Sequence, residues 1–188
     1  PAGKLRGTAV IAHPHPQFGG TMTNKVVHTL AQACVQCGWR ALRFNFRGVG
    51  ASAGQYGNGR GEVQDMLAVL AQAAPAPQPL MLAGFSFGAY VTTQVVAALG
   101  GARELAHLVL VGTGVTNFDA APVPSSLHER TLVIHGELDA TVPLAAVLEW
   151  ARPQALPITV IPGGEHFFHG RLPLLKSLVM RHLGVPSD

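Results

Sequence analysis

Gly84-Phe85-Ser86-Phe87-Gly88 follows an apolar run, Pro79 to Ala83, and leads into a helical segment that runs to Leu99. A serine that takes the chain from strand to helix in a single step stands on crowded, strained backbone. It needs small residues two before and two after it, and Gly84 and Gly88 supply them. Such a turn lifts the hydroxyl clear of the sheet and aims the backbone N–H of the next residue, Phe87, at whatever the serine carries. Only a strand feeding a helix gives the pentapeptide this meaning. The stretch therefore selects an α/β fold and makes Ser86 a candidate nucleophile.

The remainder of the chain agrees with that fold. Apolar, β-branched runs occur at Thr8–Ala12, Ala41–Phe46, Leu80–Gly84, Leu108–Val111, Leu132–His135 and Ile158–Ile161. Helical patterns occur between them, at Asn24–Cys37, Glu62–Ala74, Phe87–Leu99, Leu144–Arg152 and Leu174–Leu183. Strict alternation implies βαβ units: a mostly parallel sheet with helices on both faces, in three layers. At 188 residues, 48% hydrophobic and 12% charged, the chain is expected to form one domain, residues 1–188, around a large core.

A serine hydroxyl is a weak nucleophile until a histidine takes its proton, and a carboxylate that holds the histidine's tautomer completes the set. In this fold the order is serine, acid, histidine. Downstream of Ser86, the run from Thr131 to His135 ends in Gly136-Glu137-Leu138-Asp139. The run from Ile158 to Ile161 ends in Pro162-Gly163-Gly164-Glu165-His166. Both turns lie past the C-terminal ends of strands, where open α/β sheets present their sites. Glu137 competes with Asp139 for the acid. His128, His135 and His169 compete with His166 for the base. An oxyanion hole needs two backbone donors. Phe87 is the first, and the second belongs to the loop His13-Pro14-His15-Pro16-Gln17-Phe18, in which the prolines have no N–H.

These residues, with Gly19-Gly20, Asn24 to Val27 and Arg43 to Ser52, are spread over almost the whole chain. Together they resemble the α/β-hydrolases, and most closely the small, capless bacterial hydrolases related to dienelactone hydrolase and short-chain esterases. The resemblance implies an α/β-hydrolase three-layer sandwich with Ser86 as nucleophile, Asp139 as acid and His166 as base. Related hydrolases carry His-Gly-x in the first loop and use x as the oxyanion donor, which points to His15, with Gln17 as the alternative. Dienelactone hydrolases proper have cysteine at the nucleophile. Serine here favours esters or thioesters of small acyl groups. A peptidase or lactone hydrolase on the same residues, and a non-catalytic binding module of this fold, are the rival readings. The family usually has an antiparallel hairpin before the first motif strand, and here that strand begins almost at residue 1. The missing hairpin would leave a sheet edge for a second copy of the chain to cover, hence a homodimer. Gly112 to Arg130 is too short to hold a lid domain.

Several features narrow the substrate. Arg47 and Arg60 are candidates to face the pocket and bind an anionic group. Phe18, Phe85, Phe87, Phe167 and Phe168 are candidates to wall an apolar site. The net charge of +3 comes without a Lys/Arg cluster, so no nucleic-acid footprint is expected. No apolar run approaches the roughly 20 residues of a membrane span. Cys34 and Cys37 fall just before Gly38, at a helix C-terminus, where the dipole does not activate a thiol. They are expected to be packing residues, reduced as in the cytoplasm. His-Pro-His-Pro lacks further ligands at zinc-like spacing, so no metal and no cofactor is expected. Gly57-Asn58-Gly59-Arg60-Gly61 does not follow a strand directly, so it is expected to be a flexible loop into the next helix rather than a nucleotide-binding turn.

Overall fold

The computed structural model describes residues 5–184. Its apolar runs form β1 (Thr8–Ala12), β2 (Arg40–Arg43), β3 (Leu80–Phe85), β4 (Leu105–Val111), β5 (Thr131–Gly136) and β6 (Ile158–Ile161). The strands make one sheet in the order β2-β1-β3-β4-β5-β6, with every pairing parallel. Parallel strands are joined by crossovers that cover both faces of the sheet, so central strands are apolar throughout. Every residue of β1 and β3 is buried accordingly.

The period of two along each strand splits the core into two layers. Ala9, Ile11, Met81, Ala83 and Phe85 face α1 (Lys25–Gln36) and α5 (Leu172–Leu183). Val10, Ala12, Leu80 and Leu82 face α2 (Arg60–Ala73), α3 (Phe87–Leu99) and α4 (Leu144–Ala151). The three-layer arrangement and the absence of a lid between β4 and β5 match the expectation. That connection is a loop closed by a short 3-10 helix, Ser125–Arg130. No helix among the described residues is long and apolar enough to cross a membrane.

The chain reverses direction across the sheet at β1. From β1 it moves to β2 on one side, then returns past β1 to β3 on the other. Loops leaving the C-terminal ends of β1 and β3 diverge at that point and leave a crevice between them, the usual place for a ligand in an open α/β sheet. The His13–Phe18 loop and Ser86 are the first residues past those two ends.

Two local expectations change. β2 stops at Arg43 rather than Phe46, because the Phe46 N–H leaves the ladder and donates to Nε2 of buried His13 (3.1 Å). The Gly57–Gly61 loop is pinned, not free. The fully buried Glu62 carboxylate accepts from the N–H groups of Gly57 and Gly59 (2.8 Å each), and α2 starts at Arg60. Those N–H groups are thus spent on the chain's own acid. Cys34 and Cys37 are buried free thiols at the end of α1, and burial pushes the Cys34 thiol up to about 12, so it packs as an uncharged group.

Candidate active site

The elbow at Ser86 has φ 58° and ψ −120°, a region that side chains rarely occupy. The surroundings enforce it. The Ser86 N–H donates to the Val111 carbonyl (2.8 Å), and the Ser86 carbonyl accepts from Gly114, Ala89 and Tyr90. A Cβ on Gly84 would collide with the Gly88 carbonyl, and one on Gly88 would collide with the carbonyls of Ala12 and His13. Close approach of α3 to β1 and β3 therefore requires both glycines.

Asp139 and His166 reach Ser86 from the turns after β5 and β6. Those turns are stapled together by the Leu138 N–H to the Gly164 carbonyl (2.8 Å) and by the Gly163 N–H to the Glu137 carboxylate (2.8 Å). Glu137 therefore braces the turn and Asp139 faces the site. Ser86 Oγ lies 3.0 Å from His166 Nε2, and His166 Nδ1 lies 2.6 Å from Asp139 Oδ2. All three residues are buried, at 8%, 5% and 5% exposure for Ser86, His166 and Asp139. The second carboxylate oxygen of Asp139 accepts from the N–H groups of Thr141 (2.9 Å) and Val142 (2.8 Å). Burial alone would raise the Asp139 pKa. Hydrogen bonds from His166 and the Val142 N–H, with the two neighbouring histidines, outweigh it and hold the carboxyl below its ordinary range. An ionised Asp139 fixes the proton of His166 on Nδ1 and leaves Nε2 free to accept from Ser86.

The other histidines have different work. His135, fully buried, donates from Nε2 to the Val142 carbonyl (2.8 Å) and stands 3.5 Å from Asp139 Oδ2. It braces the loop that supplies N–H donors to Asp139, and burial lowers its pKa. His169 pairs at the surface with Glu165, and His128 bonds the Val123 carbonyl. His13 is a buried tie that sequence reasoning did not assign. Its Nδ1–H donates to the Pro14 carbonyl (2.6 Å) while its Nε2 accepts from Phe46, which locks the base of the His13–Phe18 loop.

Within that loop, the Gln17 N–H donates to His15 Nδ1 (3.2 Å) and the Phe18 N–H to the His15 carbonyl (3.1 Å). His15 Nε2 is then the protonated nitrogen and donates to the Tyr56 hydroxyl (3.0 Å). The His15 ring packs on Phe18, Tyr56 and Phe87, with burial lowering its pKa against the pull of Glu62. The His15 backbone N–H has no acceptor among the described residues.

A cleft of about 80 Å³ opens at Ser86, lined by His15, Phe18, Phe87, Asn117, Phe118 and Val142. Phe18 (86% exposed) stands at its mouth. Asn117 and Phe118 come from the loop after β4, where no periodicity marks them. A lone aromatic in the polar stretch Thr116-Asn117-Phe118-Asp119 is the one signal the sequence offered. Arg47 is held by Asp65, to which it donates from Nε and Nη2 along one edge of its guanidinium (2.8–3.2 Å). It lines a different hollow of about 320 Å³, with Pro16, Gln17 and Tyr56. Phe85 and Phe168 belong to the core, with the Phe85 ring beneath His166 at 5.0 Å. Phe167 (45% exposed) stands edge-on to His166 at 5.1 Å. Among the described residues no group of three or more His, Cys, Asp or Glu side chains is arranged to hold a metal ion.

A lidless parallel sheet with a serine elbow, an acid and a histidine at successive strand ends defines an α/β-hydrolase, and the chain belongs to that superfamily. It is 34% identical to a lidless α/β serine hydrolase from Xanthomonas campestris, covering all of this chain and 87% of that one with a TM-score of 0.85. It is 39% identical to an α/β serine hydrolase homologue from Coxiella burnetii, covering 98% and 88% of the two chains with a TM-score of 0.83. The uncharacterized protein RP471 of Rickettsia prowazekii (strain Madrid E) is 32% identical over 178 residues, 85% of this chain and 71% of that one. No family model matches the sequence.

Proposed function

We propose that this hydrolase cleaves carboxylic esters or thioesters of small acyl groups through an acyl-enzyme on Ser86. The observation that carries the reading is the buried, continuous hydrogen-bonded line from Ser86 Oγ through His166 to Asp139, at 3.0 and 2.6 Å. Ser86 Oγ attacks the acyl carbon while His166 Nε2 takes its proton. Asp139 stabilises the imidazolium and keeps it oriented. Negative charge on the former carbonyl oxygen meets the Phe87 N–H at the start of α3 and the His15 N–H across the crevice. His15 is favoured over Gln17 because the Gln17 N–H is already given to the His15 ring, and Pro14 and Pro16 have none. Imidazolium then protonates the departing oxygen or sulfur. Water, deprotonated by the same histidine, attacks the acyl-enzyme and frees the acid.

The decisive test is a burst assay with p-nitrophenyl acetate, wild type beside Ser86→Ala. A burst equal to the enzyme concentration is expected in the wild type. In the mutant no burst is expected, and steady turnover should fall by about a thousandfold or more. No burst and no turnover in folded wild-type protein would move the assignment to a binding module of hydrolase fold.

A further inference from the structure

We infer that the protein has a distinct alcohol-side subsite built on Phe167, and that its substrates join a short acyl group to an apolar, ring-bearing alcohol. The inference rests on the acyl-enzyme reading and names the substrate for the same site.

Ser86 divides the surface around it into two unlike sides. On one side is the 80 Å³ cleft. It is far smaller than the 320 Å³ hollow beside Arg47, and its apolar rings suit a short acyl chain. Its rear is a packed wall. Phe118 stacks on Tyr90 (4.8 Å, 22°) and meets Phe87 edge-on (5.1 Å). His166, whose Nε2 stands 3.0 Å from Ser86 Oγ, does not line that cleft. Beyond its ring stands Phe167, 45% exposed although a phenylalanine gains from burial. Leu138, 64% exposed, rides on the same stapled pair of turns through the Leu138–Gly164 bond.

The chemistry decides which part of an ester goes where. The bond that forms joins Ser86 Oγ to the acyl carbon, and the bond that breaks releases the alcohol oxygen. The proton taken from Ser86 returns from His166 Nε2 to that oxygen, so the alcohol must lie against the imidazole. Its next atoms then extend over Phe167. The acyl chain points the opposite way, into the small cleft. Exposed apolar surface beside His166 is thus matched to the alcohol, and the walled cleft to the acid. An aromatic ring in the alcohol would meet the Phe167 ring in a pair whose strength corresponds to about a fivefold to tenfold gain in kcat/KM.

The experiment compares two acetates whose alcohols have nearly the same acidity, ethyl acetate and 2-phenylethyl acetate, so that leaving-group reactivity is held constant. The expected ratio of kcat/KM is about fivefold to tenfold in favour of 2-phenylethyl acetate. It should fall close to one in Phe167→Ala and be retained in Phe167→Tyr. A parallel series of p-nitrophenyl acetate, butyrate and octanoate should decline beyond butyrate, and Phe118→Ala should raise octanoate relative to acetate by about tenfold. If p-nitrophenyl acetate gives a Ser86-dependent burst while the alcohol ratio is near one, or is unmoved by Phe167→Ala, the subsite is refuted and the hydrolase reading stands. If octanoate matches acetate in the wild type, the short-acyl half is refuted. If there is no burst, both readings fall together.

Discussion

Asp139 has no spare lone pair facing an empty space. One carboxylate oxygen accepts two backbone N–H groups and the other accepts His166 Nδ1–H. An amide in its place would turn an N–H₂ group toward one of these donors. To escape that clash, either the loop at Thr141 and Val142 loosens or His166 moves its proton to Nε2, which disables it as a base. Asp139→Asn is therefore expected to lower kcat by about 10⁴ while leaving the fold intact. Stopped-flow turnover of p-nitrophenyl acetate, with circular dichroism as the folding control, measures both. A drop of less than tenfold would mean that His166 does not depend on Asp139 for its tautomer. The three residues were legible in the sequence because each lies within a few residues of an apolar strand's C-terminal end, in the order this fold uses. His13 and His135 were not legible in these roles. A histidine that bonds a distant backbone group has no pattern in its neighbours: the Phe46 N–H that His13 accepts is 33 residues away, and the Val142 carbonyl that His135 holds is 7 away.

At the level of the strand–turn–helix unit, backbone strain at Ser86 inverts the usual order of glycine and alanine. In the interior of a helix or strand alanine is more stabilising than glycine by roughly 0.5–1 kcal/mol. At φ 58° and ψ −120° the side chain itself is what the backbone resists. Replacing Ser86 by glycine removes that strain, and replacing it by alanine does not. Ser86→Gly should accordingly equal or exceed Ser86→Ala in stability, although both are inactive, and urea unfolding of the two variants side by side is the test. At Gly88 the preference for glycine comes from crowding instead of strain. The methyl of Gly88→Ala would meet the carbonyls of Ala12 and His13, so α3 must back away from β1, with a loss of about 1–3 kcal/mol and a displaced Phe87 N–H. If Gly88→Ala unfolds at the wild-type urea midpoint, that close approach is not required. Both glycines could be read from the sequence as spacing around a serine. That β2 ends three residues early could not, because Arg43 to Phe46 has the composition of a strand and only the distant His13 imidazole withdraws the Phe46 N–H.

For the molecule as a whole, the parallel pairing, the two-layer core and a site past the C-terminal strand ends follow from alternation, whereas the strand order that makes loops diverge at β1 and β3 does not. What alternation cannot reveal is the pair of histidines held neutral at opposite ends of the sheet, His13 fully buried and His107 half-buried. Burial brings His13 down from the ordinary 6.5 to about 4, against partial support from the Pro14 carbonyl and Glu62. At the far end, burial does the same to His107 on β4, aided by His182, Arg6 and Arg130, again to about 4. In both cases the folded pKa lies below the unfolded one, so between pH 6.5 and about 4 the unfolded chain binds protons that the native state refuses. Stability is therefore full above that window and declines as the pH falls through it, by about 3 kcal/mol at most from fully buried His13 and by less from half-buried His107, whose charge water partly screens. Asp139, whose pKa is held low, adds to the loss as the pH falls into and through the ordinary carboxylate range. Urea midpoints taken at pH 7.5, 6.0 and 4.8 should fall progressively. In His107→Phe the slope should shrink by about one proton, because the group that must stay neutral is gone. A midpoint that is level from pH 7.5 to 4.8 in the wild type would mean that His13 and His107 take up protons in place, and that neither imidazole is shielded as its surroundings imply.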